Sequence, residues 1–393
     1  MLSLRRGKTV RLTTLTTAST LIDVLIPAYN AEGTVEEAIA SIQAQTIEAI
    51  RIVVVDDGST DATPEILARI AAADPRVVVI RRDNGGIVDA LNQGLGACAA
   101  EIIARHDADD IAFPNRFAVQ LDYLRANPDC VAVGCNAWHI DGAGKRLGKR
   151  SIFGGDVKPD AFWAPSREPY IMHPFLMMRR SAAEAVGGYR YAFHSEDTDF
   201  FWRLMDVGRL HNLTDIYGEY RIHNQSISSA SALNGRISAV NSQLAALSAR
   251  RRMQGSPDIA FEKETLAAYH EADTMEAIVE LAAKPLSPEE REYLEVAVAA
   301  KLMSLSAYRP YALTVEDYGF IRNAISRYGR TVSPANRRDL ARWQAGLVVK
   351  LAKSRSMKAA MALSTPPIVV RAIAQAAKAE LRKLAGKDLN ASQ

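Results

Sequence analysis

Residues 22–110 alternate between two hydrophobic patterns. Short apolar runs read as strands: Ile22-Asp23-Val24-Leu25-Ile26-Pro27, Ile50-Arg51-Ile52-Val53-Val54-Val55, Val77 to Arg81, and Glu101-Ile102-Ile103. The second is almost wholly β-branched, which suits a parallel strand buried on both faces. Between the runs, apolar residues recur every three or four positions. Gly33 to Gln45 does so through Val35, Ala38, Ile39 and Ile42, followed by segments from Thr63 to about Ala73 and from Val88 to Ala97. That spacing predicts helices. Thr63 and Pro64 suit the cap and first position of the second helix. Strand–helix alternation at these lengths predicts a doubly wound α/β half-domain with right-handed crossovers.

Beyond residue 110 the pattern becomes mixed. A helix is expected from Pro114 to Asn127 and a strand from Val131 to Ile140, with a hairpin tip at Asp141-Gly142-Ala143-Gly144. Another strand falls within Pro169 to Met178. Ser181 is placed to cap a short helix that stops at Gly187-Gly188-Tyr189, and Glu196-Asp197 opens a further helix. Leu213 to Ile222 reads as a last strand pair. From Ser229 to Gln393 strand signals fade, and Ala, Leu, Glu, Lys and Arg recur at helical spacing. The expected architecture is a mixed α/β sheet flanked by helices, followed by an all-α extension. Its divisions are an N-terminal extension over 1–20, an α/β domain over 21–228 and helices over 229–393.

A chain of 393 residues suits two units, and 48% hydrophobic content supplies sizeable cores. Net charge is only +3, so no nucleic-acid partner is expected. The charge is uneven, however. From Arg337 onward there are twelve Lys/Arg against three Asp/Glu. These residues suggest helices lying on an anionic membrane surface, or a helical cap with a basic exterior. Cys98, Cys130 and Cys135 sit among apolar neighbours and read as core residues of a reduced compartment. The first twenty residues lack a continuous apolar segment, so no secretory signal is expected. The expected location is the cytoplasm or the inner face of the cytoplasmic membrane.

The chemistry concentrates at strand ends. Asp107-Ala108-Asp109-Asp110 follows the fourth strand, where an open α/β sheet places its ligand. Clustered carboxylates repel one another, and a divalent cation, Mg²⁺ or Mn²⁺, removes that repulsion. The plainer reading of such a motif alone is a solvated acidic loop. Asp56-Asp57 follows the second strand. No dinucleotide G-x-G-x-x-G follows the first strand, and no P-loop is present, so NAD and P-loop chemistry are disfavoured.

Taken in order, several motifs resemble a family-2 glycosyltransferase of the GT-A fold, over roughly residues 20–228. They are Val24-Leu25-Ile26-Pro27-Ala28-Tyr29-Asn30, Val53-Val54-Val55-Asp56-Asp57-Gly58-Ser59-Thr60-Asp61, Asn84-Gly85-Gly86 and Asp107-Ala108-Asp109-Asp110. They continue with His173-Pro174, Gly187-Gly188-Tyr189, Glu196-Asp197 and Tyr220-Arg221-Ile222-His223. The resemblance implies inverting transfer of a sugar from a nucleotide-diphosphate sugar, with UDP the commonest nucleotide. The acceptor would be a hydroxyl of a saccharide or lipid-linked saccharide in surface polysaccharide or glycolipid synthesis. It implies a nucleotide-sugar site at Pro27, Ala28, Tyr29, Asp56, Asp57, Asn84, Asn92, Asp107 and Gly188. Asp109 and His223 would hold the metal, and Asp197, beside Glu196, would be the general base. Relatives often carry a basic residue where Leu91 stands, so a diphosphate contact is expected from Arg105 instead. His106 reads as a packed histidine. His173 is placed on the acceptor side, and Arg221 either contacts phosphate or packs on the sheet. The alternatives are a sugar-1-phosphate nucleotidyltransferase and a non-catalytic sugar- or nucleotide-binding scaffold.

Overall fold

A computed structural model describes residues 20–222, 231–308 and 313–390. Residues 1–19 of the expected N-terminal extension and the 228/229 boundary lie outside the described residues. The first half builds strands β1 (Ile22–Ala28), β2 (Ile50–Asp56), β3 (Val77–Arg81) and β4 (Ile102–Arg105), separated by helices α1 (Val35–Gln43), α2 (Thr63–Ala73) and α3 (Ile87–Ala97). β5 (Ile111–Ala112), α4 (Arg116–Ala126), β6 (Cys130–Ile140), β7 (Arg146–Arg150) and β8 (Gly155–Asp156) follow. β9 (Met177–Arg179), α5 (Arg180–Ala185), α6 (Glu196–Leu204) and β10 (Arg209–Arg221) complete this half.

All ten strands join one mixed sheet, with β3-β2-β1-β4-β9-β6-β10-β5 as its main path. β1 pairs in parallel with β2 on one side and β4 on the other, so Ala28 lies opposite Asp56 and Leu25 opposite Arg105. β9 runs antiparallel to both β4 and β6. Alternate side chains of β1 enter different layers. Ile22, Val24 and Ile26 pack with α1, α2 and α4, while Leu25 packs with α3, α5 and α6. Each face is covered by helices, which is why these strands are apolar almost throughout.

The second half is helical: α7 (Ala232–Met253), α8 (Thr265–Glu271), α9 (Met275–Ala282), α10 (Pro288–Tyr308), α11 (Val315–Tyr328), α12 (Pro334–Lys353), α13 (Met357–Leu363) and α14 (Pro366–Asn390). Their starts follow cap chemistry. The Ser231, Thr274, Thr314 and Ser333 hydroxyls each accept from a backbone N–H in the first turn. These helices share a core of their own. They also hold the segment before β9. The Asn336 side chain bonds Ala164 at both N–H and carbonyl, Gln243 accepts from Ser166 N–H, and Lys301 Nζ pairs with Glu168 at 2.7 Å.

Four local expectations change. Pro114 lies ahead of α4, and its carbonyl accepts from Thr46 N–H at 2.8 Å. Thr63 does not cap α2, because its hydroxyl accepts from Ala31 N–H. Ser181 lies inside α5. The expected last strand pair is a single thirteen-residue strand, β10, parallel to β6 and antiparallel to β5 and β8. Its continuity comes from long-range pairing, which local periodicity does not encode.

Candidate active site

The chain leaves β1 for β2 on one side and returns to β4 on the other. A cleft opens at such a switch in winding direction. The carboxyl ends of β1, β2 and β4 therefore bring Tyr29, Asp56 and the Arg105–Asp110 segment to one edge of the sheet.

Pro27 and Ala28 are buried at the end of β1, where Ala28 O accepts from Asp57 N–H. Tyr29 follows, half exposed. Asp56 is fully buried. Its Oδ1 accepts from Ser59 N–H, Arg81 Nε lies 3.6 Å from its Oδ2, and that oxygen has no hydrogen-bond partner. Asp57 is differently committed. Its two oxygens accept from the backbone N–H groups of Gly85 and Gly86 at 3.1 and 2.8 Å. It thereby fixes the loop that carries exposed Asn84. Gly58 adopts φ +75°, and a Cβ there would meet Asn84 N at 2.6 Å, so only glycine fits the two loops together.

Asp107, Asp109 and Asp110 each offer a carboxylate oxygen, all within 4.8 Å of one another. Asp110 is buried; its Oδ1 accepts from Arg221 N–H, while Oδ2 is buried without a hydrogen-bond partner. Burial, then the charges of Asp107 and Asp109, hold its carboxyl well above the usual range. Three oxygen donors, one of them an orphaned buried oxygen, fit a hard divalent cation. Arg105 is buried beside them, with Nη2 2.5 Å from Asp107 Oδ1. Its Nε and Nη1 are buried without hydrogen-bond partners. His223 lies outside the described residues.

The fully buried Arg116 underpins this segment. It donates to Arg105 O, to Leu176 O and to His106 Nδ1. That last bond leaves the proton of a neutral His106 on Nε2, which donates to Asp110 O at 3.0 Å. Burial, then Arg116, hold His106 well below its usual pKa. The packed-histidine reading therefore fits. Arg221 packs as a clamp: its guanidinium donates to Asp109 O, Asp141 O, Gly142 O and Glu37.

Across the cleft, α6 begins at Glu196-Asp197. Burial and then Asp197 push the Glu196 carboxyl up to about 7, with Asp107 raising it further and Arg105 lowering it. The acidic start of α6 and the Asp107 cluster thus share one electrostatic environment. Glu196 Oε2 is buried without a hydrogen-bond partner. Asp197 Oδ1 accepts from Thr198 N–H at 2.7 Å. His173 shares a 2.7 Å hydrogen bond with Tyr189 Oη, and Tyr189 stacks on Phe200 at the base of α6. Burial and then Arg105 hold His173 well below its usual pKa.

Asn92 and Gly188, both expected at the donor, meet each other. Asn92 Nδ2 donates to Tyr189 O at 2.9 Å, and its Oδ1 accepts from Tyr189 N–H at 2.8 Å. Both ends of the amide are therefore engaged with the Tyr189 backbone. Gly188 adopts φ +71°, and a Cβ there would lie 2.6 Å from Asn92 Oδ1. Arg203 Nη1 donates to Val186 O and Gly188 O, and Arg203 is held in turn by Asp199. The sequence reading missed Arg116, Arg203 and Asp199. Their only local signal is charge embedded in an apolar helical pattern.

A two-way-wound mixed sheet with an acidic cluster at its switch point is the arrangement that the GT-A resemblance implies. Residues 23–187 match the model of glycosyl transferase family 2. The amylovoran biosynthesis glycosyltransferase AmsE of Erwinia amylovora is 31% identical over 206 residues, covering 51% of this chain and 76% of that protein. An uncharacterized glycosyltransferase of Haemophilus influenzae is 32% identical over 221 residues, covering 53% and 68%. The chain belongs to glycosyltransferase family 2. The crystal structure of S. aureus TarS 1-349 in complex with UDP-GlcNAc superposes with a TM-score of 0.50 at 16% identity, covering 88% of this chain and 89% of that one. A match over 88% extends beyond the sheet-bearing half into the helices.

Proposed function

We propose that the chain is an inverting, metal-dependent glycosyltransferase. It moves a sugar from a nucleotide-diphosphate sugar, UDP first among the nucleotides, to a hydroxyl of a polysaccharide or lipid-linked saccharide. The observation that carries this reading is the pairing of the Asp107-Asp109-Asp110 cluster with the unpartnered N–H groups of buried Arg105. The TarS complex with UDP-GlcNAc and the amylovoran biosynthesis named for AmsE support the donor and acceptor classes.

In this reading Tyr29 stacks against the nucleotide and Asp56 accepts from the base. Asp57 holds the Asn84-Gly85-Gly86 loop in place. Asp109 and Asp110 hold the cation, while Asp107 faces the ribose. When bound, Mg²⁺ or Mn²⁺ neutralises charge developing on the leaving diphosphate. Arg105 donates to the same diphosphate. Asp197 takes the proton of the acceptor hydroxyl as that oxygen attacks the anomeric carbon from the opposite face, so the configuration inverts. Glu196, His173 and Tyr189 wall the acceptor side.

A thermal-shift screen of UDP-, GDP- and dTDP-sugars with Mn²⁺ identifies the donor, since binding stabilises the folded chain. The anomeric proton coupling of the product then reads the stereochemistry. Stabilisation by no nucleotide sugar overturns the donor assignment, and a retained anomer overturns single displacement.

A further inference from the structure

The last three helices carry apolar residues on the side where a helix facing water carries polar ones. α13 turns Ala359, Ala360 and Leu363 inward, and α14 turns Ile368 and Ala372 inward. Outward, Met357 is 55% exposed, Met361 70%, Val370 69% and Ile373 65%. Val370, Ile373 and exposed Ala377 recur at i, i+3 and i+7 and so form one stripe. Only Ser364 and Thr365 separate the two helices, and α14 lies against α12, where Trp343 is also exposed.

Charge along this stretch of sequence has one sign. Between Asp339 and Glu380 the chain has seven Lys/Arg and no carboxylate. Among the described residues only Arg342 of these seven has a carboxylate partner, Asp339 at 2.9 Å. Lys350, Lys353, Arg355, Lys358, Arg371 and Lys378 are exposed.

We propose that α12–α14 form an interfacial docking face for an anionic phospholipid bilayer. An apolar stripe beside a basic margin matches the two layers such a surface presents, a shallow hydrocarbon boundary and negatively charged headgroups. Long lysine and arginine stems cover apolar surface while their charged ends reach headgroups. A second copy of this chain is a poor occupant, because a two-fold contact would set this positive charge against itself. No described helix is long and apolar enough to cross a membrane, so the face lies on the bilayer. The proposal is independent of the active-site reading.

Flotation with phosphatidylglycerol–phosphatidylcholine vesicles tests it on the full chain. The wild type floats with these vesicles, and at least about tenfold less with phosphatidylcholine alone or in high salt. M361E/V370E/I373E, all at exposed positions, cuts the bound fraction about tenfold, as does K350Q/K353Q/K358Q. Both variants keep the wild-type melting temperature. Failure of the wild type to float, or equal flotation of wild type and both variants, overturns the proposal. So does a glutamate variant that floats normally but converts a lipid-free dimer to a monomer, which assigns the face to self-association.

Discussion

Arg105 Nη2 lies 2.5 Å from Asp107 Oδ1, while two more nitrogens of the same guanidinium are buried without hydrogen-bond partners. A buried donor left unmatched is costly, so such a group marks a place that a ligand completes. R105A is expected to lower kcat/KM for the donor about 100-fold, the equivalent of one or two charge-assisted hydrogen bonds. R105K recovers part of this loss, since an ammonium keeps the charge without the planar fork. Initial rates against donor concentration check both, and wild-type kinetics in R105A would remove Arg105 from the diphosphate.

Asp110 gives a metal test that needs no turnover. Burial and the neighbouring charges of Asp107 and Asp109 disfavour its ionised form. D110N keeps an oxygen for Arg221 N–H and removes the repelled charge. The metal-free variant should melt above wild type at pH 8, and its response to added Mn²⁺ should shrink. D109A should lose that response and donor turnover together. Melting curves with and without cation decide, and an undiminished Mn²⁺ response in both variants would exclude the cluster as the cation site.

Glu196 and Asp197 are separable by pH and by reaction. The Glu196 carboxyl is pushed up to about 7 from 4.5, burial first and Asp197 second. A raised folded-state pKa gives stability that is complete below pH 4.5 and lost as pH rises through 7. Metal-free wild type should therefore lose about 1–3 kcal/mol between pH 5 and pH 8 that E196Q does not lose. Parallel stability–pH curves would contradict the raised pKa. D197N should abolish transfer yet leave nucleotide binding within about twofold, since its role lies in proton removal. Full turnover by D197N would remove it as the base.

Asn92 and Gly188 should behave as one unit. G188A adds a Cβ 2.6 Å from Asn92 Oδ1 at a positive φ, and should cost about 2–3 kcal/mol. N92A removes two hydrogen bonds to Tyr189 and should cost about 1–3 kcal/mol. The double variant should be less destabilised than the sum, because N92A removes the clash. Denaturant unfolding of all four proteins measures the coupling, and strict additivity would show that the two residues act separately.

The parallel half of the fold is legible because each of its strands is a local apolar run and each helix follows at once. β1, β2 and β3 match the reading within a residue. β9 and β10 were harder, because their neighbours lie far along the chain and pairing decides their extent. The same distinction applies at the site. Asp107, Asp109 and Asp197 sit in motifs that can be read directly. The partners of Asn92 and Arg221 are not legible locally, since they lie 97 and up to 184 residues away. Arg116 falls in a segment whose local pattern shows only a helix, and its side chain holds the backbone under the acidic cluster.

The segment holding Ala164, Ser166 and Glu168 reads as a loop of the α/β half, yet its hydrogen-bonding complement comes from Asn336, Gln243 and Lys301. The two halves are therefore heritable as a set. A chimera that took the helices of one relative and the sheet of another would leave this loop facing the wrong side chains. Engineering of donor or acceptor choice by domain exchange would have to carry residues 160–168 together with the helices that receive them.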